Sequence, residues 1–259
     1  MKLFVFDIDN TLVSHSKNKL TIPDTAFLAI DLIKKSGNKC LIATGRTYNT
    51  TRHLMELFDI KDAVVANGST VIIDHNVIYD KPINENVQKQ IFEEIKEKHI
   101  PTLAMDSHDI YIYDDVVDRD FFVKQIRSFI DPMYEGTKHN IKSFDFNNLY
   151  NSISFFTNEK IKDYEETSVT MYEEGGFELM DINCSKASGI YRYIDINGID
   201  KKSVYVFGDN YNDIKMFQEF YTNSYVLGNA CEEVKSYAKN VCDHIDNDGV
   251  YKAVKSILK

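Results

Sequence analysis

Three short hydrophobic runs, at residues 2–6, 39–43 and 63–66, the first two opening on a lysine, are separated by two stretches of helical periodicity. This alternation constrains the fold more than any other feature of the chain. Runs of that length without polar interruption suit strands buried on both faces. Between the first two, residues 23–36 place Ala26, Phe27, Ile30 and Ile33 on one helical face. Pro23 suits the first turn of that helix and Gly37 the position just past its end. A second helical stretch covers about 48–57. Strand–helix–strand–helix–strand predicts parallel strands joined by right-handed crossovers. Asn67-Gly68 then marks a turn into strands at 70–73 and 77–79.

The middle of the chain has another rhythm. Val87, Ile91 and Ile95 mark a helix, and strands are predicted at 102–105 and 110–113. A helix around 119–130 precedes strand-like runs at 151–156, 169–172 and 177–180. Hairpin-like strand pairs interspersed with helices suit an α+β unit with an antiparallel sheet. From Lys186 the first rhythm returns, with a helix to about Asp195, a buried strand at 204–207, a helix at 212–220, a strand at 225–227 and two last helical stretches. The expectation is an α/β core built from residues 1–80 and 183–259, interrupted by an inserted domain at 81–182. A chain of 259 residues is long enough to bury such cores without a metal or disulfide staple.

Composition narrows the partners. Forty acidic against 30 basic residues leave a formal charge of −10, which offers no basic footprint for nucleic acid or an anionic membrane. An anionic substrate must then find positive charge supplied locally, by a few Lys or Arg residues or by a metal ion. Cys40, Cys184, Cys231 and Cys242 lie too far apart for a CxxC zinc or redox motif and read as thiols of a reducing compartment. The N-terminal apolar run meets Asp7 too early for a signal peptide, and no run approaches a membrane span. A cytoplasmic protein, monomeric or weakly homo-oligomeric, is expected.

Four polar segments fall where core strands end, and ligands of open parallel sheets gather outside the carboxyl ends of the strands. The first is Asp7-Ile8-Asp9-Asn10-Thr11; in extended chain Asp7 and Asp9 point the same way. The second is Thr44-Gly45-Arg46, where a hydroxyl and closely approachable amides could hold an oxyanion. The third is Lys186, at the start of the helix that resumes the core. The fourth is Gly208-Asp209-Asn210-Tyr211-Asn212-Asp213, two carboxylates and amides at a strand-to-helix turn. Each alone has an ordinary reading as solvated acids, a turn, a surface lysine or a helix cap. Together they gather four carboxylates, a hydroxyl and an ammonium about one crevice. Four ionised acids cannot crowd without a counter-ion, and Mg²⁺ prefers oxygen ligands while leaving sites to phosphate. The joint reading is phosphoryl transfer.

The pattern resembles the haloacid-dehalogenase-like (HAD) phosphatases, specifically the Cof-type branch with a large α/β cap. The resemblance covers the whole chain and rests on DIDNTL at 7–12, ATGR at 43–46, ANG at 66–68, CSKASGI at 184–190 and GDNYND at 208–213. Asn10 departs from the Gly usual in that branch, although other HAD members accept Asn. The resemblance implies a Rossmann-like parallel-sheet core with the 81–182 segment as the α+β cap that presents side chains to the leaving group. It implies Asp7 as nucleophile and Asp9 as general acid and base, with Mg²⁺ held by Asp7, the Asp9 carbonyl and Asp209. Thr44, Gly45, Lys186 and Asn212 would cradle the phosphoryl group, and Asp213 would orient a bound water or Lys186. The implied substrate is a small phosphorylated metabolite, sugar phosphates foremost.

Other residues are read as structural. The seven histidines, His15 among them, show no metal spacing and are taken as surface or structural. Asn67 reads as a plain hairpin turn or as a residue that orders the loop near the site, Arg46 as substrate-facing or salt-bridged, the aromatic stretches of the inserted domain as sheet core, and 243–248 as a solvated acidic loop. Three rival readings remain. A phosphosugar mutase would return the phosphoryl group to sugar instead of water. A receiver-type domain would be about half as long. A non-catalytic ligand-binding protein would leave a phosphate-ester panel untouched.

Overall fold

The computed structural model describes residues 1–16, 19–113, 141–157, 161–171 and 176–259. The chain forms two compact units. The first comprises Met1–Gly45, Leu54–Ile78 and Ser185–Lys259, and the second Arg46–His53 and Tyr79–Cys184.

In the first unit, β1 (Leu3–Phe6) is buried throughout, as its four consecutive apolar residues require. The hairpin of β2 (Ser14–Ser16) and β3 (Lys19–Thr21) follows it, then α1 (Asp24–Lys35) and β4 (Lys39–Ala43). Helix α1 buries Ala26, Ala29, Ile30 and Ile33, and Pro23 stands at its N-cap. Next along the chain come α2 (Tyr48–Leu57), of which Leu54–Leu57 belongs to this unit, β5 (Ala63–Val65), β6 (Thr70–Ile73) and β7 (Asn76–Asp80), which belongs to it up to Ile78.

The second unit runs through α3 (Glu85–Lys98), β8 (Thr102–Met105), β9 (Ile110–Tyr113), β10 (Lys142–Ser143), β11 (Ser152–Phe155), β12 (Thr167–Met171) and β13 (Phe177–Asp181). Its sheet has the order β10-β9-β8-β11-β13-β12, antiparallel except where β9 meets β10. Val87, Ile91 and Ile95 of α3 share one core with Ala104, Ile153, Phe155 and Leu179. The helix expected around 119–130, and the last residue of the strand expected at 169–172, lie outside the described residues. Arg46–His53 joins this unit through hydrogen bonds from Tyr48 N to Ser107 O (2.9 Å), Asn49 N to His108 O (3.2 Å) and Asn49 Nδ2 to Asp109 Oδ1 (2.9 Å). No sequence pattern announces that grouping.

The first unit is completed by α4 (Lys186–Asn197), β14 (Val204–Gly208), α5 (Ile214–Glu219), β15 (Ser224–Val226), α6 (Glu232–Lys235), β16 (Asn240–Val241) and α7 (Gly249–Ile257). The helix expected over 212–220 is instead a 3-10 turn, Tyr211–Asp213, followed by α5. The Asn210 side chain accepts from Tyr211 N at 2.8 Å and caps that turn.

The first sheet has the order β16-β15-β14-β1-β4-β5-β6-β7. From β16 to β5 neighbours are parallel, and β6 returns antiparallel to β5. Central β1 aligns Phe6 with Phe207 on one side and Ile42 on the other, so three strands end level. The rings of Phe6 and Phe207, and of Phe207 and Tyr225, stack at 4.9 Å. Burying each such ring is worth roughly 1.5–3 kcal/mol, which holds the strand ends in fixed register. Among the described residues no helix is long and apolar enough to cross a membrane.

Candidate active site

The polar segments at these level strand ends converge. Asp7 continues the ladder past β1, its N–H donating to Phe207 O at 2.9 Å, and its side chain is buried. Lys186 opens α4, whose start is fixed by a reciprocal capping box between Ser185 and Ser188. The helix can approach because Gly68 stands against it. A Cβ at Gly68, which has φ +94°, would lie 1.8 Å from Ser185 O. The Lys186 ammonium donates to Asp7 Oδ1 at 2.8 Å and to Asp213 Oδ1 at 2.7 Å, with no exposure of its side chain.

Asp213 folds back over Gly208, where a Cβ would meet its Cγ at 2.4 Å. Its Oδ2 accepts from Asp209 N at 2.9 Å and Asn210 N at 3.0 Å. Both Asp213 oxygens are thereby engaged by the protein. Asp209 Oδ1 accepts from Thr11 Oγ1 at 3.1 Å, and its Oδ2 lies 3.4 Å from Asn229 Nδ2.

Carboxylate oxygens of Asp7, Asp209 and Asp213 lie within 4.8 Å of one another. One buried ammonium faces three acids, so formal charge stays uncompensated. Burial pushes the Asp7 carboxyl up to about 7; Lys186 opposes this, while Asp213 and Asp9 add to it. Burial, then Asp7 and Asp213, push Asp209 up to about 8. Burial alone would lower Lys186, but Asp213 and Asp7 override it and hold it above its ordinary value. Oxygen donors that lack countercharge are the donor set a hard divalent cation requires, and the residues present fit one.

Asp9 is not one of these three acids, although its charge acts on Asp7. Asp9 Oδ1 is 2.5 Å from His15 Nε2, and both side chains are partly exposed. His15, read from the sequence as surface or structural, is thus partnered with a candidate site acid. Of the two readings of Asn67, the one that orders the loop fits: Ala66–Gly68, which joins the antiparallel β5 and β6, is a 3-10 turn with left-handed Asn67 (φ 50°). Asn67 N donates to Thr44 O at 3.0 Å, and its Oδ1 accepts from exposed Asn212 at 3.0 Å. Gly45 lies against the same amide, since a Cβ there would come within 3.1 Å of Asn67 Oδ1. Thr44 is buried at the end of β4. Asn67 thus links the candidate phosphate residues Thr44, Gly45 and Asn212.

Arg46 is buried within the second unit. Sequence reasoning passed over Asn229, which has no motif around it. Its Nδ2 donates to Asn10 O at 2.9 Å, and its Oδ1 accepts from Ile245 N at 3.1 Å. It also left Thr11 without a role, although Thr11 stands inside the first motif.

Residues 4–254 match the family model of haloacid dehalogenase-like hydrolases. YkrA of Bacillus subtilis is 27% identical over 266 residues, covering 99% of this chain and 97% of its own. The B. subtilis 5-amino-6-(5-phospho-D-ribitylamino)uracil phosphatase YcsE is 25% identical over 257 residues, covering 98% and 95%. Among solved structures, the HAD subclass IIB sugar phosphatase BT4131 superposes with a TM-score of 0.82 at 26% identity, covering 99% of each chain.

Proposed function

The chain belongs to the haloacid dehalogenase-like hydrolase family, and from that premise we propose that it is a Mg²⁺-dependent phosphatase of small phosphorylated metabolites, sugar phosphates foremost, acting through an aspartyl-phosphate intermediate. The observation that carries this reading is the buried Lys186 ammonium held between Asp7 and Asp213, beside Asp209. The likeness to a sugar phosphatase and to a phosphatase of a phosphorylated ribityl compound supports the substrate class.

Asp7 is the nucleophile. Its carboxylate forms a bond to phosphorus as the ester P–O bond breaks, and Asp9 gives its proton to the departing alkoxide. Water then attacks phosphorus, Asp9 takes the proton, and Asp7 and inorganic phosphate are released. Lys186 holds Asp7 in place and offsets the repulsion between a carboxylate and a phosphate dianion. Asp213, with both oxygens bound, fixes Lys186 and the turn that carries Asp209. The Thr44 hydroxyl, the Gly45 amide and Asn212 donate to phosphoryl oxygens. Mg²⁺, held by Asp7, Asp209 and the Asp9 backbone carbonyl, would supply the remaining positive charge that the acid cluster and substrate demand.

The test is phosphate release from a panel of sugar phosphates, nucleotides and cofactor phosphates with Mg²⁺. Turnover that EDTA abolishes and added Mg²⁺ restores is expected, with sugar phosphates foremost. A panel without turnover overturns the reading.

A further inference from the structure

Building on that reading, we propose that His15, anchored through Asn10, is a positioning residue that sets the carboxyl group of Asp9 for proton transfer to the leaving group. Asp9 and His15 sit on either side of one tight turn. Thr11 N, Leu12 N and Val13 N all donate to Ile8 O, at 3.2, 2.9 and 2.9 Å. Asn10 N donates to Val13 O at 2.7 Å, while Asn10 O accepts from Asn229 Nδ2. Asn10 is thus held from both peptide groups in a left-handed conformation, φ 55°, that Asn tolerates better than most residues.

Its side chain is then spent on the next element. Asn10 Oδ1 accepts from His15 N at 3.2 Å, which fixes the start of the β2–β3 hairpin, where His15 pairs with Leu20. From that anchored backbone the His15 ring reaches back, placing Nε2 2.5 Å from Asp9 Oδ1. The terminal torsion of an Asp is broad and roughly two-fold, and a bond to one oxygen restricts the rotation of the carboxyl group. That rotation decides where the transferred proton sits. Asn229, which also approaches Asp209 Oδ2, ties this arm to the acid cluster.

A role in orienting the acid leaves a signature that general loosening does not. A sugar or alkyl phosphate expels a basic alkoxide and needs the proton; p-nitrophenyl phosphate expels a phenolate that leaves without one. Since kcat/KM ends at the first irreversible step, it reports transfer to Asp7 and not the later hydrolysis. General acid catalysis contributes roughly 10²–10⁴-fold, so His15→Ala should lower kcat/KM for a hexose 6-phosphate by about 10- to 100-fold and for p-nitrophenyl phosphate by under about 3-fold. His15→Gln, which keeps an N–H donor, should recover most of the loss. Asn10→Gly, which keeps the backbone conformation and removes the tether, should lose about 3-fold on the hexose ester alone. Equal losses on both esters, or none on the hexose ester, overturn the proposal while leaving the phosphatase reading intact. A wild-type protein inactive on both esters overturns that reading and this proposal with it.

Discussion

The two units each bury a Glu or Asp beside a lysine, yet with opposite results. In the second unit Glu94 is fully buried. Burial alone would raise its pKa, but bonds from Lys98 (2.6 Å), Tyr164 and Lys162 N (3.3 Å) outweigh it and hold the carboxyl below its ordinary range. In the first unit Lys186 is shared among three acids, and Asp7 and Asp209 are pushed up to about 7 and about 8. One cluster is satisfied by the protein and the other is not. A lone buried acid such as Glu178, which burial pushes up to about 7, can be relieved by one proton. Crowded acids aligned at strand ends are relieved best by a cation, and that separates a structural ion pair from a candidate reaction site.

Removing the nucleophile should break the comparison most sharply. Asp7→Asn should lower phosphate release at least about 10⁴-fold, as expected for loss of an attacking group. An active Asp7→Asn variant would remove Asp7 from the chemistry. Next in size, Lys186→Ala should cost about 10²–10³-fold in kcat/KM, the scale of removing one oriented donor from a developing anion. An unchanged value would demote Lys186 to a structural ammonium like Lys98.

The reciprocal experiment tests the other cluster. Lys98→Ala should leave kcat/KM within about 2-fold and lower stability to urea by about 1–2 kcal/mol, because Glu94 stays buried with fewer partners while Lys98 itself is partly exposed. A selective loss of activity without loss of stability would erase the distinction.

The parallel core was legible because burial on both faces leaves the plain signal of continuous apolar runs. The acids and the lysine at their ends could be named from the sequence for the same reason, since parallel strands bring distant termini to one edge. What the sequence hid were contacts between loop side chains remote from one another. Asn229 reaches Asn10 across 219 residues and Asp209 across 20, and no local pattern encodes either reach. The His15 pair depends on Asn10 adopting a left-handed turn, and Asn67 on another; a spacing rule reads both only as punctuation. Arg46–His53 follows a core strand in sequence but bonds to the second unit, because backbone partners outrank chain order.

A last effect, on stability and not on turnover, lies in how pH and Mg²⁺ act on the first unit. Asp7 and Asp209 titrate near 3.8 when unfolded and at about 7 and about 8 when folded. The folded state therefore binds more protons across that window, and stability falls as pH rises through it. The contribution is complete below about pH 3.8 and is lost on passing about 7 and about 8. Glu178 adds a slope of the same sign, but it has no place in the acid cluster, so Mg²⁺ separates the two. A cation bound by Asp7 and Asp209 replaces their protons, and so meets stronger competition at pH 5, where both are protonated, than at pH 8. At saturation near 100 Kd such binding adds about 2.7 kcal/mol, or several degrees of Tm for a chain of this size. The Mg²⁺-induced rise in the Tm of metal-stripped protein should accordingly be larger at pH 8 than at pH 5 and disappear when both Asp7 and Asp209 become Asn. A rise that is equal at the two pH values, or larger in acid, would place the cation elsewhere and leave the crowded acids of the first unit as ordinary buried carboxyls.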